Sequence, residues 1–158
     1  MTKKVLTIPV HYMKDNAEKL EEIAVGDWVD IPVQDNIWFV EGLSTLHIKL
    51  GFSMVLPEGY EAHILPRSST YPKYGLILGN SMGMIDNAYK GIGDEWMANF
   101  FATRDIPANT ITKGTRLLQF RIVKTMKAEL DVDEIHFIED DEAFKGNEDR
   151  GGFGSTGK

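Results

Sequence analysis

The sequence predicts an all-β domain of the sandwich, jelly-roll or barrel type. Short apolar, β-branched runs recur along the chain, and turn residues interrupt them roughly every 8–12 residues. No strand–helix–strand alternation is present, which disfavours a Rossmann or P-loop domain. The length of 158 residues fits one domain with its own core.

The predicted elements follow from local patterns. Arg121 and Gln119 alternate with apolar neighbours, which is the period of a half-buried strand. The Pro57-Glu58-Gly59 turn predicts a hairpin connection. One short helix is predicted at 16–24, capped by Asp15, with its apolar residues on one face. The predicted strands are 5–12, 37–40, 45–50, 53–56, 60–65, 95–102 and 116–124.

Composition and charge exclude several classes of site. The chain has no cysteine, which excludes disulfides, thiolate metal sites and a Cys nucleophile. The four histidines show no ligand spacing, and the three tryptophans are expected in the core or at an interface. The net charge of -7 argues against a general nucleic-acid binder. No apolar run approaches the roughly 18 residues of a membrane helix, so we expect a soluble, cytoplasmic protein.

The acidic residues are concentrated in residues 129–149. This segment has ten acids and one base, whereas the rest of the chain carries a net charge of +2. We interpret it as a solvated acidic strand and loop on the surface.

The last 13 residues, 146–158, differ in kind from the rest. They contain five of the fifteen glycines and one large apolar side chain, Phe153. Such a segment cannot offset its ordering entropy by burial, so we predict a jelly-roll domain at 1–145 and a flexible arm at 146–158. Residues 152–158 match part of a Walker motif, but no Ser/Thr and no helix follow Lys158, which excludes a P-loop. Backbone N–H groups, Arg150, Ser155 and Thr156 would still suit a phosphate.

Two internal segments are candidate sites. Residues 66–70 (PRSST) place an arginine beside hydroxyls at a strand end, which suits a phosphate clamp or an ordinary turn with an ion pair. Residues 79–91 (GNSMGMIDNAYKG) suggest an open hairpin backbone able to pair with a base edge. Asp86 could act there as a general base for water, with Tyr89 offering a flat face. The alternative is a polar hairpin with an Asx turn.

Five ordered motifs resemble those of the homotrimeric dUTP pyrophosphatase (dUTPase) family. Each alone is weak, but their order from residue 26 to residue 157 is specific. The chain looks most like the Bacillus and phage branch, with which it shares EGYEAH at 58–63 and GNEDRGG at 146–152. The motifs are GDWVDI at 26–31, PRSS at 66–69 with KYG at 73–75, the 79–91 segment, KGTRLLQF at 113–120 and RGGFGSTG at 150–157.

The resemblance implies a distorted jelly-roll (β-clip) fold and a homotrimer with active sites at the subunit interfaces. The implied reaction converts dUTP and water to dUMP and pyrophosphate, which keeps uracil out of DNA and supplies dUMP for thymidylate synthesis. The implied cofactor is Mg²⁺, held mainly by the substrate phosphates rather than by a direct protein site. Nucleic acid and membrane are not implied as partners.

The resemblance also implies a role for individual residues. Asp86 would deprotonate the attacking water, Tyr89 would pack under the deoxyribose, and Asp30 would be supporting. Asn80 and the backbone through Ile85 would read the uracil edge, while Phe153 would cover the ring. Residues implied to bind substrate are Arg67, Ser68, Ser69, Asn80, Gly83, Met84, Ile85, Tyr89, Gln119, Arg150, Phe153, Gly154, Ser155 and Thr156.

Two positions in the motifs and two other functions remain open. Asp27 is the alternative counterpart to Asp30 in the first motif. Arg150 lies three residues before Phe153, two fewer than in the family pattern, so another arginine could contact the phosphates. A trimeric nucleotide-sensing regulatory protein is one alternative function. A dCTP deaminase of the same fold is the other, which Glu95 matches only in part.

Overall fold

Nine strands dominate the computed structural model, which describes residues 2–151. Two five-residue helices, α1 (Thr70–Tyr74) and α2 (Met126–Leu130), and a 3₁₀ turn at Asp141–Phe144 accompany them. The strands are β1 (Val10–Tyr12), β2 (Val29–Pro32), β3 (Ser44–Lys49), β4 (Phe52–Met54), β5 (Tyr60–Pro66), β6 (Leu76–Leu78), β7 (Gly83–Ile85), β8 (Met97–Ala102) and β9 (Arg116–Lys124).

The largest sheet has four antiparallel strands in the order β2-β9-β5-β7. Strand β9 is the longest, and it pairs with β2 on one side and with β5 on the other. Gln119 lies opposite Asp30 on β2 and opposite Leu65 on β5. Directly paired residues point to the same face of a sheet, so β9 aligns the second and fourth sequence motifs with Asp30.

Two smaller sheets complete the β structure. The order β3-β8-β6 forms a three-stranded sheet, and β1 pairs with β4. Strand β8 alternates strictly, with Ala98, Phe100 and Ala102 buried and the residues between them exposed. This alternation is the period of a sheet with one face on the core.

The core is centred on three aromatic rings from three parts of the chain. The Phe52 and Trp96 ring centroids lie 4.9 Å apart, and those of Trp96 and Phe120 lie 5.1 Å apart. Trp96 is fully buried. A fully buried large apolar side chain contributes about 1.5–3 kcal/mol relative to its exposed state. The core therefore ties β4 and β9 to the segment that leads into β8.

The predicted helix at 16–24 is wrong, because those residues form no helix. The backbone N–H of Glu18 donates to the side-chain oxygen of Gln34, and that of Leu20 donates to the Tyr12 hydroxyl, both at 2.9 Å. These donors are satisfied by side chains of the β framework instead of by carbonyls one turn earlier. Tertiary contacts have overridden a weak amphipathic pattern.

The predicted hairpin across Pro57–Gly59 is also wrong. The strand before the turn pairs with β1, and the strand after it pairs with β9 and β7. The turn therefore joins two sheets rather than two neighbouring strands. The predicted strand at 5–12 is confirmed only at Val10–Tyr12, and the one at 37–40 only as a bridge from Val40 to Ile106.

The all-β prediction is confirmed, and the remaining predicted strands lie within a few residues of the observed ones. Of the three tryptophans, Trp96 is in the core, Trp28 is half-buried, and Trp38 is 76% exposed. The acidic segment 129–149 lies on the surface as expected, but as a helix end, loop and 3₁₀ turn rather than as a strand. Within residues 2–151, no helix has the length and apolar character needed to cross a bilayer.

Candidate functional site

Most of the predicted site residues in the described part of the chain lie in or beside two groups of side chains, which also contain residues that were not predicted. The arginine cluster consists of Arg67, Arg116, Asp30 and Gln119 at the β2-β9-β5 part of the large sheet. The Asp86 pocket lies at the end of β7. It has a volume of about 260 Å³ and is lined by Met84, Ile85, Asp86, Tyr89, Glu95 and Met97.

Asp30 connects the two arginines of the arginine cluster. Its Oδ1 lies 3.1 Å from Nε of Arg67, and its Oδ2 lies 3.3 Å from Nη1 of Arg116. The other Nη of Arg116 lies 3.0 Å from a carboxylate oxygen of Glu21. Asp27, the alternative to Asp30, pairs instead with Arg121. The geometry thus links Asp30, and not Asp27, to the predicted phosphate-binding arginine.

The turn that follows β5 is tied to β9 by its backbone and by one hydroxyl. The Arg67 N–H donates to the Leu117 carbonyl at 3.1 Å, and the Thr70 hydroxyl donates to the same carbonyl at 2.6 Å. Thr70 is fully buried, whereas Ser68 and Ser69 are exposed. The turn therefore buries one hydroxyl as an anchor and presents the two hydroxyls that the sequence predicted as ligands.

Asp86 lies immediately after β7, whose last residue Ile85 is buried opposite Ala62. One carboxylate oxygen of Asp86 accepts the Ala88 N–H at 2.7 Å, and the Asp86 carbonyl accepts the Tyr89 N–H at 3.0 Å. The Asx turn, which was the alternative interpretation of residues 79–91, is therefore present. It does not remove Asp86 from the surface, because the side chain stays exposed.

Tyr89 is half-buried against the core, and its hydroxyl donates to the Glu95 carbonyl at 2.8 Å. This bond fixes the far end of the ring while the backbone turn fixes its near end. The ring therefore forms a rigid wall of the Asp86 pocket.

The turn between β6 and β7 carries Asn80, which is exposed. The N–H of Ser81 donates to the Leu78 carbonyl at 2.9 Å, and Ser81 has a φ of 64°. Gly83 lies opposite Ile64, and a Cβ on this glycine would stand 3.0 Å from the Ile64 Cβ. The glycine therefore allows close packing of β7 on β5. The two strands flanking the turn belong to different sheets, so the predicted hairpin is a connection between sheets.

A single chain does not bring the arginine cluster and the Asp86 carboxylate together. On β5, the register places Asp86 next to Glu61, because Ile85 pairs with Ala62. Arg67 follows the other end of the same strand. Six residues of strand correspond to roughly 20 Å. One substrate contacting both groups would need them from different chains.

The predicted residues of the C-terminal motif are separate from both groups. Arg150 is exposed beyond the 3₁₀ turn. Phe153, Gly154, Ser155 and Thr156 lie outside the described residues.

Known proteins are similar to this chain in sequence and in fold. A family model described as dUTPase matches residues 29–157. The chain belongs to the dUTPase family. The SPbeta prophage-derived deoxyuridine 5′-triphosphate nucleotidohydrolase YosS of Bacillus subtilis is 42% identical over 96% of this chain and 99% of its own. The corresponding nucleotidohydrolase of Hydrogenobaculum is 33% identical over 82% of each chain. The predicted resemblance to the Bacillus and phage branch of dUTPases is confirmed.

Solved phage dUTPases share the fold. The dUTPase of Staphylococcus bacteriophage 80alpha, solved with dUpNHpp, has a TM-score of 0.73 at 23% identity, covering 98% of this chain and 100% of that chain. A dUTPase variant from phage phi11 of S. aureus, with a structural Mg(II) ion, has a TM-score of 0.68 at 20% identity, covering 87% of this chain and 99% of that chain. These similarities confirm the jelly-roll type of fold for this dUTPase-family chain.

Sequence reasoning assigned no role to three residues that the dUTPase fold places beside the predicted site. Arg116 shares Asp30 with Arg67, and its position in the fourth motif was the available signal. Glu95 holds the Tyr89 hydroxyl through its backbone carbonyl. Asn87 donates from its side chain to the Pro57 carbonyl in the loop before β5 and to the Tyr60 carbonyl at the start of β5. The last two contacts join segments that are distant in sequence, so no local sequence pattern predicts them.

Carboxylates near the site are not grouped as a metal cage. Within residues 2–151, no group of three or more His, Asp or Glu side chains could hold a metal ion. Asp30 is already paired with two arginines, whereas Asp86 is exposed and forms no ion pair within the described part of the chain.

Proposed function

We propose that this dUTPase-family chain hydrolyses dUTP to dUMP and pyrophosphate, and so keeps uracil out of DNA and supplies dUMP for thymidylate synthesis. The observation that carries the proposal is the Asp86 pocket, where a carboxylate and a fixed tyrosine ring share one small cavity. The family's motifs and the dUTP nucleotidohydrolase relatives support this assignment.

Asp86 acts as the base. Its Oδ1 accepts the Ala88 N–H, which leaves the second oxygen to accept a proton from water. The oxygen of that water attacks the α-phosphorus, the bond from the α-phosphorus to the bridging oxygen breaks, and pyrophosphate leaves. The water proton passes to Asp86. A general base of this kind accelerates a reaction by about 10²–10⁴-fold.

Tyr89 and the turn between β6 and β7 select the nucleoside. The tyrosine ring is held at both ends, so it can reject a 2′-hydroxyl by contact with the sugar. Asn80 and the backbone through Ile85 read the uracil edge, with Gly83 and Met84 forming part of that backbone. This close fit excludes the methyl group of thymine.

The arginine cluster binds the phosphates. Asp30 orients Arg67 by accepting its Nε–H, which leaves the terminal nitrogens of the guanidinium for phosphate oxygens. Ser68, Ser69 and Gln119 add neutral donors from the same part of the sheet. The arm residues Arg150, Phe153, Gly154, Ser155 and Thr156 close over the triphosphate and the base, which keeps bulk solvent, though not the attacking water, away from the reacting groups.

The donor set near the site fits Mg²⁺ held mainly by substrate. Magnesium in nucleotide enzymes uses one or two carboxylates together with phosphate oxygens and water, not an all-protein cage. Because the free oxygen of Asp86 is assigned to the attacking water, the substrate phosphates and water supply the ligands of this ion in our proposal. When bound, Mg²⁺ neutralises part of the triphosphate charge.

A homotrimer explains how separated groups serve one site. The arginine cluster and Asp86 lie roughly 20 Å apart along β5, so neighbouring subunits would contribute one group each. The surface segment 131–149 supports the same arrangement, because Phe137 is 93% exposed and Ile138 is 78% exposed on the single chain. Such apolar side chains are normally covered in an assembly.

We place this enzyme in the cytoplasm.

A pyrophosphate-release assay with dUTP, dTTP, dCTP and UTP tests the proposal. We expect turnover of dUTP at least about a hundredfold above that of the other three nucleotides. The variant Asp86→Asn should bind dUTP but turn it over about 10²–10⁴-fold more slowly. The matched control is Asp35→Asn, since Asp35 is a surface carboxylate paired with Lys14 away from the pocket.

Each alternative function gives a distinct result in that assay. Ammonia release from dCTP would indicate a deaminase. Nucleotide binding without pyrophosphate release from dUTP would indicate a sensing protein. A wild-type rate in Asp86→Asn would contradict the assignment of the base.

A further inference from the structure

Asn87 ties the turn that carries Asp86 to a different part of the chain. Its side-chain nitrogen donates to the Pro57 carbonyl at 2.6 Å and to the Tyr60 carbonyl at 2.9 Å, and it lies 3.4 Å from the Leu56 carbonyl. Leu56 and Pro57 lie in the loop between β4 and β5, and Tyr60 is the first residue of β5. An amide group has two N–H donors, so both are engaged here.

This contact fixes the Asp86 backbone on its downstream side. On the upstream side, Ile85 is held by the ladder to Ala62, which is fully buried. Asp86 is therefore the one residue between a strand end and an anchored amide. Its carboxylate, held by the Ala88 N–H, cannot move without breaking one of these connections.

Tyr89 is held by a separate contact. Its hydroxyl donates to the Glu95 carbonyl, which is not one of the carbonyls that accept from Asn87. Loss of the Asn87 amide would therefore loosen the turn that carries the carboxylate while leaving the tyrosine ring attached. The two parts of the pocket can be disturbed independently.

We propose that Asn87 is a positioning residue that aligns the Asp86 carboxylate for attack by water. This inference rests on the proposed function, because Asn87 acts on the reaction only by positioning the Asp86 carboxylate. The loop that accepts the Asn87 bonds is itself rigid, since the Tyr60 N–H donates to the Pro57 carbonyl at 3.1 Å and the Gly59 carbonyl accepts from Thr125 at 2.9 Å. The amide thus transfers the rigidity of the β4–β5 connection to the reacting group.

The test compares Asn87→Ala with wild type in the full-length protein. We expect kcat for dUTP to fall roughly 10–100-fold, because a displacement of about 1 Å in a catalytic group can cost about a hundredfold. The Kd for the imido analogue dUpNHpp should stay within about threefold of wild type, because the phosphate and base contacts are elsewhere. Discrimination against UTP should also persist, because Tyr89 keeps its own anchor.

Gln34→Ala is the matched control. Gln34 is a buried amide that donates to the Glu18 carbonyl at 2.9 Å and accepts the Glu18 N–H, and it is not one of the residues that line the Asp86 pocket. We expect a comparable or larger loss of Tm with unchanged kcat. This result separates alignment of Asp86 from a general loss of stability.

The outcomes that overturn the inference are separate from those that overturn the proposed function. Wild-type kcat in Asn87→Ala, or a Kd that rises in proportion to the loss of kcat, would overturn the inference alone. Absence of dUTP hydrolysis by the wild-type protein would overturn the function and the inference together. If Asn87→Ala does not fold, Asn87→Ser, which keeps one donor, decides by the same criteria, and failure of both to fold would assign Asn87 to folding alone.

Discussion

The carboxylate of Asp30 orients the side chains of two arginines at once. It accepts from Arg67 on one oxygen and from Arg116 on the other. An arginine with its Nε–H engaged is preoriented, so less side-chain entropy is lost when phosphate binds. At the residue scale, the site thus depends on which aspartate of the first motif makes this contact.

We predict that Asp30→Ala raises KM for dUTP by about tenfold, which corresponds to about 1.4 kcal/mol, with a smaller change in kcat. The reason is that Arg67 and Arg116 lose their shared partner, and a partly exposed ion pair of this kind is worth about 1 kcal/mol. Steady-state pyrophosphate release measures both constants.

Asp27→Ala is the paired control for Asp30→Ala. Asp27 contacts Arg121 rather than Arg67, so its removal should leave KM within about twofold of wild type. A larger effect from Asp27 than from Asp30 would reverse the assignment of the first motif.

At the scale of elements, β7 is a short strand whose position depends on one glycine. The strand has three residues, and Gly83 faces Ile64 on β5. Since a Cβ would stand 3.0 Å from the Ile64 Cβ, a side chain at this position requires either Ile64 or β7 to shift by a few tenths of an ångström, and we expect β7 to move. The displacement would move both ends of the strand. The turn that carries Asn80 precedes it, and Asp86 follows it.

We predict that Gly83→Ala destabilises the fold by about 1–3 kcal/mol, the usual cost of overpacking. Urea unfolding followed by circular dichroism measures the change. Gly93→Ala is the control, because a Cβ there meets nothing within 4 Å in the described residues and we expect almost no change. Equal stability of the two variants would show that β7 tolerates a wider separation from β5.

Elements with a strong local pattern were predictable from the sequence, and those set by distant contacts were not. Strand β9 was predicted at its observed bounds because apolar Leu118, Phe120 and Ile122 alternate with polar Gln119 and Arg121 along its middle. The false helix at 16–24 arose because its backbone donors bond to Gln34 and Tyr12, which no local window includes. Helix α1 was missed because it is short and contains Pro72.

The site residues divide in the same way, into those marked by a local sequence motif and those set by contacts with distant parts of the chain. Asp86, Tyr89 and Arg67 were predicted as site residues from ordered motifs, although spacing alone left an ordinary turn as an alternative. The contacts of Asn87 with the β4–β5 loop could not be predicted, because its partners lie about 30 positions earlier and are backbone atoms of any residue type.

At the scale of the whole molecule, the separation of the arginine cluster from Asp86 decides how the enzyme can work. If neighbouring subunits share each site, a defect in one group on one chain can be complemented by the intact group on another. A site made within one chain does not permit this.

We predict that co-expression of Arg67→Ala and Asp86→Asn chains restores activity that neither variant has alone. Random mixing in a ring of identical interfaces gives roughly a quarter of the sites an intact group from each side. Pyrophosphate release from the purified mixed oligomer measures the restored fraction. The control is a mixture of the separately purified homo-oligomers before any exchange of subunits, and equal activity of the two samples would contradict sharing.

Strand β9 also limits how this family can vary in length. Because Gln119 is paired with Asp30 on one side and with Leu65 on the other, removing one residue from the middle of β9 would turn its side chains to the opposite face beyond that point. Both neighbouring strands would lose register in the same step. Insertions and deletions should therefore accumulate in the loop at 13–28 and in the acidic segment 129–149, while the length of β9 stays constant among relatives.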